Sequence, residues 1–288
     1  MSGEHHGQAG GPPLEKDFSN DSNHDADDAL RKIRTTGSLS ISPELFEKIY
    51  LSPQNKVAGE LRKTVGNPTP FALVGFLLSL TPLSCEIMGW RGASATGASG
   101  IGVYLAFGGI LMTLGSIGEW ILGNTFPCVV FGSFGSFWFA FGITLIPSTG
   151  SYGAFSPNPN NPALGLETAG FNSGWAFFQV FMGVLCLVYA ICALRTNLVL
   201  FLILFMLVPT FGCLAGAYWH LAQGNAAAAA APTIAGGACA FVVCMLGWYI
   251  FAAILLAAVD FPLSLPVGDL SHIIKGASEK KKSQDDMA

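Results

Sequence analysis

Six apolar runs, each about twenty residues long and nearly free of charge, follow one another between residues 70 and 259. A bilayer core about 30 Å thick takes roughly twenty helical residues to cross. The windows are 70–90, 101–122, 126–147, 171–194, 198–222 and 232–259. Polar joints and helix breakers separate them: Arg91-Gly92 with a Gly/Ser/Ala stretch, Gly123-Asn124, the segment 148–170, Arg195-Thr196-Asn197, and Gln223-Gly224-Asn225 before an alanine run. A soluble protein would need far more charge, since only 11% of residues are Asp, Glu, Lys or Arg, under half the usual share. Transmembrane β-strands are excluded as well, because the runs lack period-two alternation and are twice a barrel strand's length. The expected fold is an all-α membrane protein, a bundle of six transmembrane helices over residues 65–260. The flanking segments 1–64 and 261–288 read as disordered tails, with one short amphipathic helix near Pro43 to Tyr50.

Basic residues orient the bundle, because loops richer in Lys and Arg stay cytosolic. Of fourteen Lys and Arg, only Arg91 falls on the side opposite the tails. Both termini are therefore expected in the cytosol.

The same survey removes several function classes. The seven cysteines, Cys85, Cys128, Cys186, Cys192, Cys213, Cys239 and Cys244, sit in or beside apolar runs with no C-x-x-C and no His at ligand spacing. They read as small buried hydrophobes, and no metal site or cofactor is expected. His5 and His6 read as part of a solvated tail. The net charge of -4 and the lack of a basic stripe argue against nucleic acid. No nucleophile–base pair or phosphate loop is present, so the chain is not read as an enzyme.

Ionisable side chains within spans mark function or a paired anchor. Glu119 lies about one turn before the end of the second window, where the negative helix end disfavours a carboxylate. It needs a partner elsewhere in the bundle or water nearby, as a structural anchor or as part of a proton path. Glu86 lies close to Arg91, and a rim ion pair is the expected arrangement. His220, at the end of the fifth window, reads as interfacial. Gly108, Gly109, Gly115, Gly118, Gly132, Gly135 and the Gly212-x-x-x-Gly216 pair read as sites of close helix packing within or between protomers.

The first window opens on Asn67-Pro68-Thr69-Pro70 and turns apolar at once. Asn67 suits an N-cap and Pro68 the first helical position. A cap so close to the bilayer, or at a pore mouth, leaves a positive helix end in need of a partner, and a small carboxylate fits it. Asn161-Pro162 leads into the fourth window in the same way, three spans later, as an inverted repeat would.

These residues resemble the acetate uptake transporters, also called succinate–acetate permeases, of bacteria and fungi. Asn67, Pro68, Pro70, Leu73, Gly75 and Phe76 match a signature close to N-P-A-P-L-G-L-x-G-F. A second block, residues 107–139, is similar in its glycine pair Gly108-Gly109, in Glu119, in Gly123-Asn124-Thr125-Phe126 and in Gly135-Ser136-Phe137-Trp138. The segment "LPVGDLS" and the long N-terminal tail resemble the fungal branch. The resemblance implies a six-helix protomer assembling as a homo-hexamer. Each protomer would hold a narrow path for small monocarboxylates, working as a proton-coupled symporter or as an anion channel. Phe76 and Phe134 would pinch that path, with a third residue near Met206. Asn67, Pro68, Pro70, Asn124 and Thr125 would belong to it, and Glu119 would serve as anchor or proton site.

The chain departs from the signature at Thr69, at Phe71 and at Ser79-Leu80, where the family commonly has a Thr-Thr pair. Such departures suit a diverged carrier in a specialised pathway, on the plasma membrane or on a vacuolar or other internal membrane. Two other readings stay open: an ammonium or ammonia exporter, and a membrane sensor that transports little.

Overall fold

The computed structural model describes residues 61–93 and 96–271. The expected tails before residue 61 and after residue 271, the short helix near Pro43 to Tyr50 and His5-His6 lie outside the described residues. Six helices are long and apolar enough to cross a membrane: α1 (Thr69–Ile87), α2 (Ala98–Ile121), α3 (Thr125–Thr144), α4 (Ala169–Ala193), α5 (Leu198–Ala222) and α6 (Ala226–Ala258). The protein is a multi-pass, all-α membrane protein, and no strand is present among the described residues.

Helix starts are written in the sequence. Thr168 Oγ1 accepts from the Phe171 N–H at 3.4 Å ahead of α4. Asn197 Oδ1 accepts from the Leu200 N–H at 2.8 Å ahead of α5, and Asn225 Oδ1 from the Ala228 N–H at 3.0 Å ahead of α6. Each satisfies a donor that the first turn leaves without an intrahelical partner. The cap at Asn225 moves the start of α6 upstream, so the run Ala226 to Ala231 is helix rather than joint, as alanine's propensity favours. At 33 residues α6 is about 50 Å long, more than a bilayer core requires, and must tilt or stand beyond it.

α5 packs along α4 and α6, α1 against α6 and α2, and α2 against α3. Glycine sets the closest approaches. A methyl group at Gly115 would lie 2.5 Å from Ala72 Cβ, and one at Gly118 would lie 2.6 Å from Pro68 Cβ. Within α2 the stretch Tyr104–Leu111 is π-helical, and the rings of Trp138 and Phe139 seat against Gly108 and Gly109 there. Gly212 and Gly216 meet nothing within 4 Å, so that pair makes no close approach inside the protomer.

Glu86 corrects an expectation. Its buried carboxylate accepts from the Gly97 N–H at 3.1 Å and from Ser99 Oγ at 2.8 Å, not from Arg91. Arg91 is exposed, in a left-handed turn at φ 56°. Glu86 thereby pins the α1–α2 joint, and Gly97 lies over Leu83 and Phe141. At the other end of the bundle, the segment after α6 turns back onto the α4–α5 joint. The Leu198 N–H donates to Gly268 O at 2.7 Å and the Leu270 N–H to Thr196 O at 2.9 Å. Val267 is buried in the core there, so the chain to residue 271 is packed against the bundle.

Candidate functional site

The opening motif and the end of α2 meet at one end of the bundle. Asn67 Oδ1 accepts from the Thr69 N–H at 2.9 Å. Asn67 thus caps the first turn, although the regular helix begins at Thr69 and Pro68 is already helical at φ −79° and ψ −17°. Pro68 and Pro70 bring no N–H, which leaves fewer donors to satisfy. Antiparallel packing of Gly118 against Pro68 then delivers Glu119 to this turn. Its side chain is fully buried. One carboxylate oxygen accepts from Thr69 Oγ1 and the other from Asn124 Nδ2 at 2.7 Å.

The position where the sequence suggested a substrate carboxylate is therefore next to the chain's own, that of Glu119. A buried carboxylate is retained when each oxygen has donors, and the positive start of α1 offsets the unfavourable end of α2. Asn124 makes no side-chain cap for α3; its amide goes to Glu119 instead. Thr125, the first residue of α3, is exposed beside it.

Phe76 of α1, Phe134 of α3 and Met206 of α5 lie on helices that all run in the same direction. Phe76 and Phe134 are buried, and Met206 is partly buried against the same core. Gly247 of α6 receives the edge of Phe76. Just beyond, Ser79 Oγ and the indole nitrogen of Trp138 are buried without hydrogen-bond partners, both against Gly108.

A cavity of about 130 Å³ lies further along, toward the end opposite Asn67. Leu83 of α1, Phe137 and Phe141 of α3, Tyr218 of α5 and Thr233 of α6 line it, with Thr96 of the α1–α2 joint. From α4 comes Gln179, 3% exposed, whose Oε1 has no hydrogen-bond partner. Gln179 is uncharged and does not stand out among the ionisable residues of the spans. An uncharged amide inside "AFFQVFMG" obeys the same rule and was the available signal. None of the lining side chains is charged, and no group of His, Cys, Asp and Glu that could hold a metal occurs among the described residues.

Residues 50–272 match the model of the GPR1/FUN34/yaaH family. The chain belongs to that family. It is 48% identical over 235 residues to Protein alcS of Aspergillus fumigatus, covering 82% of this chain and 86% of that one. It is 32% identical over 209 residues to the acetate transporter protein patA of Aspergillus clavatus, covering 73% and 80%. The solved structure of the bacterial acetate channel SatP superposes with a TM-score of 0.55 at 24% identity, covering 71% of this chain and 99% of that one. That likeness carries the fold: the GPR1/FUN34/yaaH member described here shares the helical bundle of SatP.

Proposed function

We propose that this protein is a membrane transporter or channel for acetate and related short-chain monocarboxylates, with one path through each protomer and no enzymatic step. The observation that carries the reading is the interior of the bundle: a small uncharged cavity with a buried amide, and the buried rings Phe76 and Phe134 between it and the Asn67 end. Such a series admits a small, partly apolar solute and strips its water. The naming of patA as an acetate transporter and of SatP as an acetate channel supports the substrate class.

In this reading Phe76 and Phe134, with Met206, form the constriction. Asn67, Pro68, Pro70, Asn124 and Thr125 shape the mouth at the other end. Glu119, with both oxygens engaged, anchors that mouth rather than carrying protons. In keeping with the excess of Lys and Arg in the tails, this mouth and both termini face the cytosol and the Gln179 cavity faces the far side, at the plasma membrane or on an internal membrane. Protomers assemble as a homo-hexamer, and the apolar side chains exposed on α4, such as Phe177 and Phe181, face lipid or a neighbouring protomer.

A carboxylate-lined ammonium path is not what the cavity offers, since its lining carries no charge. Uptake of labelled acetate into proteoliposomes, with and without an imposed pH gradient, tests the proposal. Flux above empty vesicles that follows the acetate gradient and the voltage is the channel result. Flux that follows the pH gradient beyond passive entry is the symport result. No flux above empty vesicles refutes both.

A further inference from the structure

Gln179 reaches the cavity from the middle of α4 with an amide that is almost wholly buried and an Oε1 that accepts no hydrogen bond. A primary amide offers donors on one side and an acceptor on the other, and this holds whichever way it is turned. Its surroundings are mostly Leu, Ile and Phe, with hydroxyls from Thr96, Tyr218 and Thr233. Water satisfies such an amide but leaves the apolar wall uncovered.

A carboxylate is an acceptor only. It takes a bond from the amide nitrogen, leaves Oε1 unmet, and brings a full charge into a space with no cation on its lining. An undissociated carboxylic acid has the complementary pattern. Its O–H donates to Oε1, its C=O accepts from Nε2, and its methyl or ethyl group lies on the apolar wall.

We infer that the Gln179 cavity is a binding site for a small carboxylic acid in its neutral, protonated form, held by a paired amide–acid hydrogen bond. The inference rests on the acetate reading above and specifies which species the site takes. No covalent bond is made or broken; the acid arrives with its proton and leaves with it.

Binding then depends on pH through the ligand. Of the lining residues only Tyr218, from α5, carries a titratable group. The lining residues of α1, α3, α4, α6 and the α1–α2 joint carry none. Glu86 of α1 is outside the lining and bonded to Gly97 and Ser99. Above the acid's own pKa the neutral fraction falls tenfold per pH unit, so the half-saturation concentration, counted as total acetate, rises about tenfold per unit.

The test is saturation-transfer NMR on the full chain in detergent, with sodium acetate as probe from about pH 5 to about pH 7. Acetamide, the uncharged isostere of acetic acid, serves as competitor. The expected results are a half-saturation that climbs about tenfold per pH unit and displacement of acetate by acetamide. Gln179→Leu should weaken acetate binding about tenfold, the loss of a well-made hydrogen-bonded pair. Half-saturation unchanged with pH, together with failure of acetamide to displace, identifies the anion as the bound species and overturns the inference. Undiminished binding by Gln179→Leu overturns it too, while the wild-type pH series stands on its own if that variant misfolds. Labelled acetate flux on the same preparation separates the two claims. Flux with pH-independent binding sinks the neutral-acid site and leaves transport standing, and acid-selective binding without flux does the reverse.

Discussion

The Thr69 hydroxyl donates to the carboxylate of Glu119 across fifty residues of chain, joining the first turn of α1 to the last turn of α2. With Asn124 on the other oxygen, the link holds a buried carboxyl group at the meeting point of three helices. Thr69→Val leaves one oxygen without that donor, and Asn124→Leu does the same for the other. Each is expected to cost about 1–3 kcal/mol, the penalty for an unsatisfied buried polar group. Thermal unfolding in detergent should show the loss for either variant, and an unchanged midpoint for both would contradict the anchor role of Glu119.

Asn67 caps through its side-chain oxygen, so Asn67→Ala should destabilise by about 1 kcal/mol and lower acetate flux without loss of membrane expression. Asn67→Ser retains an acceptor without adding charge beside Glu119 and should keep most of the stability. Flux equal to wild type in Asn67→Ala would remove this mouth from the path.

Phe76 is buried and seated against Gly247, and in the proposed path it narrows the way through. Phe76→Ala is expected to widen the path there, admit carboxylates larger than acetate, and cost about 3–5 kcal/mol in stability, as ring removal from a core does. Uptake of a graded series of labelled monocarboxylates measures it. Equal exclusion of the longer members by variant and wild type would count against a constriction at Phe76.

Gly118 touches Pro68 where the two antiparallel helices cross. Gly118→Val has no room beside the proline ring and should cost about 1–3 kcal/mol through overpacking, with some loss of the Glu119 cluster. Gly216→Ala, which meets open space, should leave the monomer's stability unchanged. Side-by-side unfolding curves distinguish the two, and equal effects would refute the packing account.

Some of this was legible in the residues and some was not, for physical reasons. Length and hydropathy announce a membrane span because the bilayer fixes both, so six helices emerged with ends close to those found. The start of α6 was misplaced because an alanine run has no strong signal until Asn225 is seen to cap it. The π-helical stretch at Tyr104–Leu111 was not legible, since the rings of α3 that seat on Gly108 and Gly109 are distant in sequence. Glu86 was paired with Arg91 on proximity along the chain, whereas the joint curls back and offers Gly97 and Ser99 as donors. At the site, Asn67, Glu119 and Asn124 were each singled out, but only the fold reveals that they form one cluster. Gln179 is legible only as an amide inside an apolar run, since it carries no charge.

In the proposed path acetate crosses the protomer past Phe76 and Phe134. The most direct measurement is labelled acetate uptake into proteoliposomes holding either the wild type or Phe134→Trp, which adds bulk at the second ring. Saturable uptake above empty vesicles is expected of the wild type, with its loss in the folded, reconstituted Phe134→Trp protein. Uptake no greater than that of empty vesicles, or uptake untouched by the added bulk, would contradict it.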